Sequence, residues 1–327
     1  MFSNFKKTLF LKKDLAILGN YIKSIVSDMD GLPGKAIAGT LLAGGKRIRP
    51  ALFLICARNK KYNIDFLLPA AAGIEMLHTA SLIHDDIIDN SVLRRGRKTI
   101  HNIYDKDTAR YAGDYLFTYA FYLLNGYSNH LICKEMSNAS QSLVMGEFDQ
   151  LKTKSLIEQS EKVYLAKINE KTSSLFKLSC VLGGILSGSE EDDVDKMRQF
   201  GNLLGMAFQI NDDLIDININ KPADKIGKPV GNDIRQGNIT LPIIYALRDK
   251  KINSEIRNLL GKKDFSEDDA DRVLKLINGS EVVEMVRQKV FHYLAEAKRT
   301  ASLVNGSSRR NGLMEVCDYL MGAIERN

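Results

Sequence analysis

An all-helical fold is what this sequence predicts, on three observations. Only six prolines occur, and none lies between Pro69 and Pro222. No Val/Ile/Thr-rich run alternates apolar with polar residues, so strands are not expected. Long segments instead carry apolar residues at helical spacing. The 327 residues hold no linker of disordered composition, and one domain over 1–327 is the simplest organisation.

The elements follow in order. Leu9 to Asp28 reads as an amphipathic helix closed by Gly31-Leu32-Pro33-Gly34, with a short helix from Lys35 to Leu42 after it. The loop Gly44-Gly45-Lys46-Arg47-Ile48-Arg49-Pro50 leads into a helix over Ala51 to Arg58, with Pro50 as its first residue. A long helix runs from Leu68 to Asp89, with Pro69 in its first turn. The basic loop Leu93 to His101 comes next. Helices are then expected at 107–126, 131–152, 157–186 and 191–218. Asn218 to Asn238, with Pro222, Pro229, Gly227, Gly231 and Gly237, reads as a mobile loop over a site. Ile239 to Asn327 is further helix, broken at Asn305-Gly306-Ser307-Ser308.

Composition narrows the function. Hydrophobic residues make 44% and charged residues 26%, as in a soluble globular protein. Cys56, Cys133, Cys180 and Cys317 form no CxxC pair and read as reduced core thiols, against zinc or a disulfide framework. A net charge of +6 suits anionic small molecules and is too small to argue for nucleic acid. The N-terminus spaces Lys6, Lys7, Lys12 and Lys13 between short apolar runs, without a signal-peptide core. No run is read as approaching the roughly 18 apolar residues of a membrane span. The expected location is the cytoplasm, with peripheral contact to membrane surfaces.

Chemistry is concentrated in Ser81-Leu82-Ile83-His84-Asp85-Asp86-Ile87-Ile88-Asp89-Asn90. Asp85 and Asp89 share one helix face, where two charges about 4 Å apart cost roughly 4 kcal/mol at an effective dielectric of 20. A cation between them relieves that repulsion; a solvated acidic helix end is the plain alternative. Gln209-Ile210-Asn211-Asp212-Asp213-Leu214-Ile215-Asp216 repeats the DDxxD pattern after another apolar run, which tips the balance to metal. Two such clusters are expected to face each other across a cavity. Oxygen-only ligands with open positions suit Mg²⁺ shared with phosphates.

Three basic sets point to a clustered negative charge such as a diphosphate. They are Lys46, Arg47 and Arg49; Arg94, Arg95, Arg97 and Lys98; and Lys171-Thr172 with Lys225 and Lys228. No GxxxxGK[ST] loop follows a strand, so a P-loop enzyme is excluded. His84 reads as a packed core residue. His78, seven residues before Asp85, shares its face and is placed to touch a phosphate.

The chain resembles the trans-isoprenyl diphosphate (polyprenyl) synthases over nearly its whole length, most of all long-chain members such as heptaprenyl diphosphate synthase catalytic subunits and octaprenyl diphosphate synthases. The matching motifs are Gly44 to Pro50, Asp85 to Asp89 with Arg94-Arg95-Gly96, Gly113-Asp114, Lys171-Thr172, Gln209 to Asp216, and Gly227-Lys228-Pro229-Val230-Gly231. The resemblance implies a single-domain antiparallel helical bundle around a central cavity. It implies that Asp85, Asp86, Asp89, Asp212, Asp213 and Asp216 hold Mg²⁺ on an allylic diphosphate, farnesyl or geranyl. Arg94, Lys171, Thr172, Gln209 and Lys228 hold that diphosphate too, and Lys46, Arg49, His78 and Arg95 hold the diphosphate of isopentenyl diphosphate. Asp85, Asp86, Asp89, Lys171, Asp212 and Asp213 are the residues on which catalysis rests.

Many relatives carry Lys where Asn238 stands, which removes one diphosphate cation here. Ala80 and Ser81, about one turn before Asp85, are small where short-chain members hold an aromatic plug. They imply a deep tunnel and a hexaprenyl to octaprenyl product for quinone side chains, with geranylgeranyl diphosphate as the alternative. A homodimer is implied, or a catalytic subunit active only with a small partner. A class I terpene cyclase would need Ser and Glu where Ile215 and Ile219 stand, or where Asp216 and Asn220 stand in the other register. A non-catalytic subunit could lose its carboxylates, but both triads are intact.

Overall fold

The computed structural model describes residues 9–219 and 230–325. They fall into two compact units. One comprises the chain up to Ser140 with Leu175–Asn202 and Ala297–Leu320. The other comprises Gln141–Ser174, Leu203–Glu296 and the residues from Met321 on. The structure is all-α, as expected, apart from one two-stranded ribbon among the described residues.

The first unit is built on α4 (Ile64–Ile88). Its N-cap, Asn63, accepts hydrogen bonds from the backbone N–H groups of Asp65 and Phe66, at 3.0 and 3.4 Å. Ala70, Ala71, Ala72, Ile74, Met76, Leu77 and Ala80 are all fully buried, so α4 is apolar nearly all round. By length and composition α4 could therefore cross a membrane, contrary to the expectation that no run qualifies. With 72% of that apolar window buried inside the protein, it is a core helix.

α6 (Lys106–Asn125) runs antiparallel along α4. Gly73 lies against the Ala120 carbonyl and Leu124, and Gly113 lies against the His84 ring, where any Cβ would collide. α1 (Leu9–Ser27), α2 (Gly31–Leu41) and α3 (Ile48–Cys56) complete the early part of this unit. α2 takes in the Gly-Leu-Pro-Gly segment expected to end α1. Pro33 sits in its first turn, where no N–H is needed, and Gly34 admits the Met29 carbonyl.

Pro69 lies beyond the first turn of α4, deeper than expected. A proline there removes a ladder hydrogen bond and pushes away the carbonyl four residues back. The Tyr127 hydroxyl repairs the gap. It donates to the Phe66 carbonyl at 2.6 Å and accepts from the Ala70 N–H at 3.2 Å. Its ring meets Phe66 edge-on at 5.1 Å.

The expected basic loop is a tight hairpin. β1 (Leu93–Arg94) pairs antiparallel with β2 (Arg97–Lys98) across Arg95 and Gly96, both with positive φ. α5 (Ile100–Ile103) follows. His84 is half-buried, 3.3 Å from Asp114, and not the packed core residue expected. Cys56, Cys180 and Cys317 are buried thiols as expected, but Cys133 is exposed.

α7 (His130–Thr153) leads into the second unit. The single helix expected over 157–186 is three elements: α8 (Glu161–Ile168), a π-turn at Asn169–Ser173, and α9 (Ser174–Leu186). α10 (Glu191–Asp216) carries the second aspartate motif. α11 (Asn232–Arg235), α12 (Leu241–Ala246), α13 (Asn253–Leu260) and α14 (Glu267–Asn278) follow. α15 (Val282–Ser302) and α16 (Ser307–Glu325) flank the expected break.

Candidate active site

Both aspartate motifs occupy helix C-terminal ends, where the backbone carbonyls already present negative charge. Carboxylates there are unfavourable for the helix alone, so they need cations or donors around them. In the first unit, Asp86 is buried and takes a fork from Arg94, whose Nε and Nη2 both donate to Oδ1, the first at 2.9 Å. The hairpin supplies that arginine. Thr99 closes its base, donating from Oγ1 to the Ser91 carbonyl at 2.7 Å and from its N–H to the Val92 carbonyl at 3.1 Å. Asp85 and Asp89 are half-buried on the same helix end.

Two turns earlier, at His78 of α4, positive charge gathers from α3 and the hairpin. The Arg49 Nη1 donates to His78 Nε2 at 3.1 Å, and its guanidinium covers the Phe176 ring at 4.7 Å. Withdrawal from water, then the charges of Arg49, Arg95 and Arg94, hold the His78 imidazolium well below the ordinary histidine range. His78 is therefore a neutral acceptor to Arg49, with its proton on Nδ1. Arg95 reaches back from the hairpin turn to the Gly44 carbonyl. It packs where a Gly45 side chain would stand, so the double glycine is a socket for this guanidinium. Lys46 is exposed beside it. Arg47 turns away to the Leu15 carbonyl at 3.1 Å. Glu75, three residues before His78, is 5% exposed among Arg47, Arg49 and Arg95.

In the second unit the residues form a chain of hydrogen bonds. Thr172 Oγ1 donates to Gln209 Oε1 at 2.6 Å, and Gln209 Nε2 donates to Asp213 Oδ1 at 2.8 Å. The Tyr164 hydroxyl donates to Asp213 Oδ2 at 2.6 Å. Burial, then Asp233 and Asp212, push the Asp213 carboxyl well up, against the pull of these two donors. Lys167, also buried, stands over the Tyr164 ring at 5.9 Å, and its electrostatic neighbours include Asp213 and Asp233. Asp216 accepts from the backbone N–H groups of Asn232 and Asp233, at 3.2 and 3.1 Å. Asp212 is exposed.

The π-turn carries Lys171 and Thr172. Lys171 Nζ lies 2.6 Å from Glu147 Oε1 and 3.1 Å from Gln150 Oε1, both on α7. Two glycines admit the widened turn. A Cβ on Gly146 would strike the Lys171 backbone at 2.6 Å, and one on Gly205 would strike Ser173 Cα at 2.7 Å. Asn238 lies 3.5 Å from Asp233 Oδ1, a neutral amide beside a carboxylate. Ala80 is fully buried, and Ser81 donates to the His78 carbonyl at 2.8 Å. Lys225 and Lys228 lie outside the described residues.

Among the described residues, no group of three or more His, Cys, Asp or Glu side chains is gathered closely enough to form a metal cage. The donors are oxygen alone. Mg²⁺ commonly takes one or two carboxylates and fills the rest of its octahedron with water and substrate phosphates. The donor set therefore fits a hard cation that is completed by its diphosphate.

Sequence reasoning passed over Glu75, Glu147, Gln150, Tyr164 and Lys167. Each has a spacing signal: Glu75 lies one turn from His78, Glu147 and Gln150 one turn apart, and Tyr164 and Lys167 likewise.

The model of the polyprenyl synthetase family matches residues 34–277. The protein named heptaprenyl diphosphate synthase component 2 from Geobacillus stearothermophilus is 35% identical over 311 residues, covering 95% of this chain and 96% of that one. A polyprenyl synthase from Caulobacter crescentus, solved with calcium and isoprenyl diphosphate, superposes with a TM-score of 0.88 at 30% identity over 95% of each chain. A geranylgeranyl pyrophosphate synthase from Lactobacillus brevis superposes with a TM-score of 0.88 at 28% identity, over 98% of this chain and 99% of that one.

Proposed function

Since the chain belongs to the polyprenyl synthetase family and is a prenyl diphosphate synthase, we propose that it joins a farnesyl or geranyl diphosphate to successive isopentenyl diphosphates, head to tail and trans, up to six to eight units. The observation that carries this reading is repeated in both units. Each sets an oxygen-only aspartate motif at a helix C-terminus with cations and hydrogen-bond donors around it.

Asp85, Asp86, Asp89, Asp212, Asp213 and Asp216 would hold Mg²⁺ against the allylic diphosphate. The calcium in the Caulobacter relative supports a divalent cation. Bound there, it supplies positive charge to the leaving oxygens. Arg94, Lys171, Thr172, Gln209 and Lys228 fix that diphosphate and stabilise the charge growing on it as the allylic C–O bond breaks. Lys46, Arg49, His78 and Arg95 hold isopentenyl diphosphate so that its double bond faces the allylic cation. The new carbon–carbon bond forms, a proton leaves the neighbouring carbon for the departed diphosphate, and the longer product re-enters the cycle. Ala80 and Ser81 leave room for the growing tail.

Asp85→Ala and Asp212→Ala are each expected to abolish incorporation of labelled isopentenyl diphosphate while the circular dichroism of the folded chain persists. Retained incorporation in both variants would remove the metal assignment.

A second reading has specific support, because the Geobacillus relative is named component 2. On it, this chain is a catalytic subunit that turns over only with a small partner, and co-purification from its own cells would recover that partner. Without a partner, a homodimer is the working form.

A further inference from the structure

The condensation leaves a problem that the arginine cluster beside α4 must meet. The bond that breaks belongs to the allylic substrate, whose diphosphate departs. The bond that forms joins its first carbon to the terminal carbon of isopentenyl diphosphate. The product therefore keeps the diphosphate of isopentenyl diphosphate, and each turn ends with that group in the cluster of Lys46, Arg49, His78 and Arg95. The next turn requires the same diphosphate to ionise at the aspartates. A cluster that binds it too tightly stalls elongation.

Glu75 sits inside this cluster. It lies one turn before His78 on the same face of α4; burial pushes its carboxyl up, and the charges of Arg47, Arg49 and Arg95 pull it back toward the ionised form. Only 5% of it is exposed. Its Oε2 is buried without a hydrogen-bond partner. A buried carboxylate oxygen left unsatisfied costs stability, so the fold alone gives no reason to keep an acid here. The arginines offset part of that cost by their charge, and the acid in turn weakens the field they present to an anion.

We propose that the buried Glu75 carboxylate limits how tightly the arginine cluster around it holds diphosphate, so that each lengthened product leaves for the site where it ionises. This rests on the assignment of that cluster to isopentenyl diphosphate. Glu75 is a positioning residue in this scheme, acting on the substrate through the field at Arg49 and Arg95.

The test is calorimetric titration of the full chain with isopentenyl diphosphate and Mg²⁺, without allylic substrate, for wild type, Glu75→Gln and Glu75→Asp. Loss of the charge at constant shape is expected to tighten binding on the order of ten-fold. The Asp variant, which keeps the charge, is expected to bind like wild type. With farnesyl diphosphate added, the Gln variant is expected to make shorter products at equal isopentenyl diphosphate consumption. Unchanged or weaker binding by folded Glu75→Gln overturns the proposal. So does equal tightening by Glu75→Asp, or a Gln variant that cannot fold, which would give the acid to the structure. A wild-type chain that binds no isopentenyl diphosphate removes the underlying assignment, an outcome told apart because it appears before any variant is compared.

Discussion

At His78 a ring that has lost water stands among three guanidiniums, and both effects disfavour its charged form. The sign of the consequence follows from linkage. In the unfolded chain the ring takes up a proton as pH falls through about 6.5, its ordinary value. In the folded chain it does so only well below that. Stability supplied by the neutral ring is therefore complete above about 6.5 and is lost as pH falls toward the depressed folded value. His78→Gln removes the titration while keeping an acceptor for Arg49. Thermal unfolding from pH 7.5 to 5 should show a shallower loss of Tm in this variant than in wild type. Equal slopes would mean that the imidazole is free to protonate in place. His78 itself was legible, since its spacing to Asp85 marks one face. Glu75, one turn away, was passed over, because its spacing to His78 gains meaning only when Arg49 on α3 and Arg95 in the hairpin turn are brought beside it.

At the scale of elements, the π-turn at Asn169–Ser173 does for Lys171 and Thr172 what a regular helix would not. One extra residue in the turn re-aims both side chains, and Gly146 and Gly205 provide the space. Gly146→Ala should press its methyl into the Lys171 backbone. Overpacking of this kind costs about 1–3 kcal/mol. The expected outcome is a fall in kcat larger than the fall in urea stability would explain, because the lysine is moved; a variant with wild-type kcat would contradict it. The second element-scale case is α4 at Pro69. Tyr127→Phe strips both hydrogen bonds from the repair and should destabilise the chain by about 1–3 kcal/mol in urea unfolding. Adding Pro69→Ala restores the missing N–H and should return part of that loss. No recovery would show that the hydroxyl does something other than mend the proline gap.

These two cases also show what the sequence could reveal. The limits of α1, α6, α7 and α10 and the break before α16 came from apolar spacing and breakers, which are local. The π-turn lies inside an unbroken helical pattern, and the space that permits it comes from glycines on α7 and α10. The hairpin strands hold two residues each, too short for any alternation to register. Pro69 could be seen but its repair could not, since Tyr127 is 57 residues from Ala70.

For the whole molecule, the aspartate motifs stood out because helix ends do not gather acids without a reason, and their repetition made chance a poor account. The order of basic and acidic motifs along the chain carried the reaction class. Product length is a property of the full interior, which two small residues, Ala80 and Ser81, cannot fix alone. The most direct test of the account is the product made by the purified full chain from farnesyl diphosphate, excess isopentenyl diphosphate and Mg²⁺, dephosphorylated and sized by mass spectrometry. The account predicts linear prenyl alcohols of six to eight units, absent when the metal is chelated. A folded chain, supplied with its co-purifying partner, that leaves both substrates unconsumed or yields a cyclic hydrocarbon would contradict it.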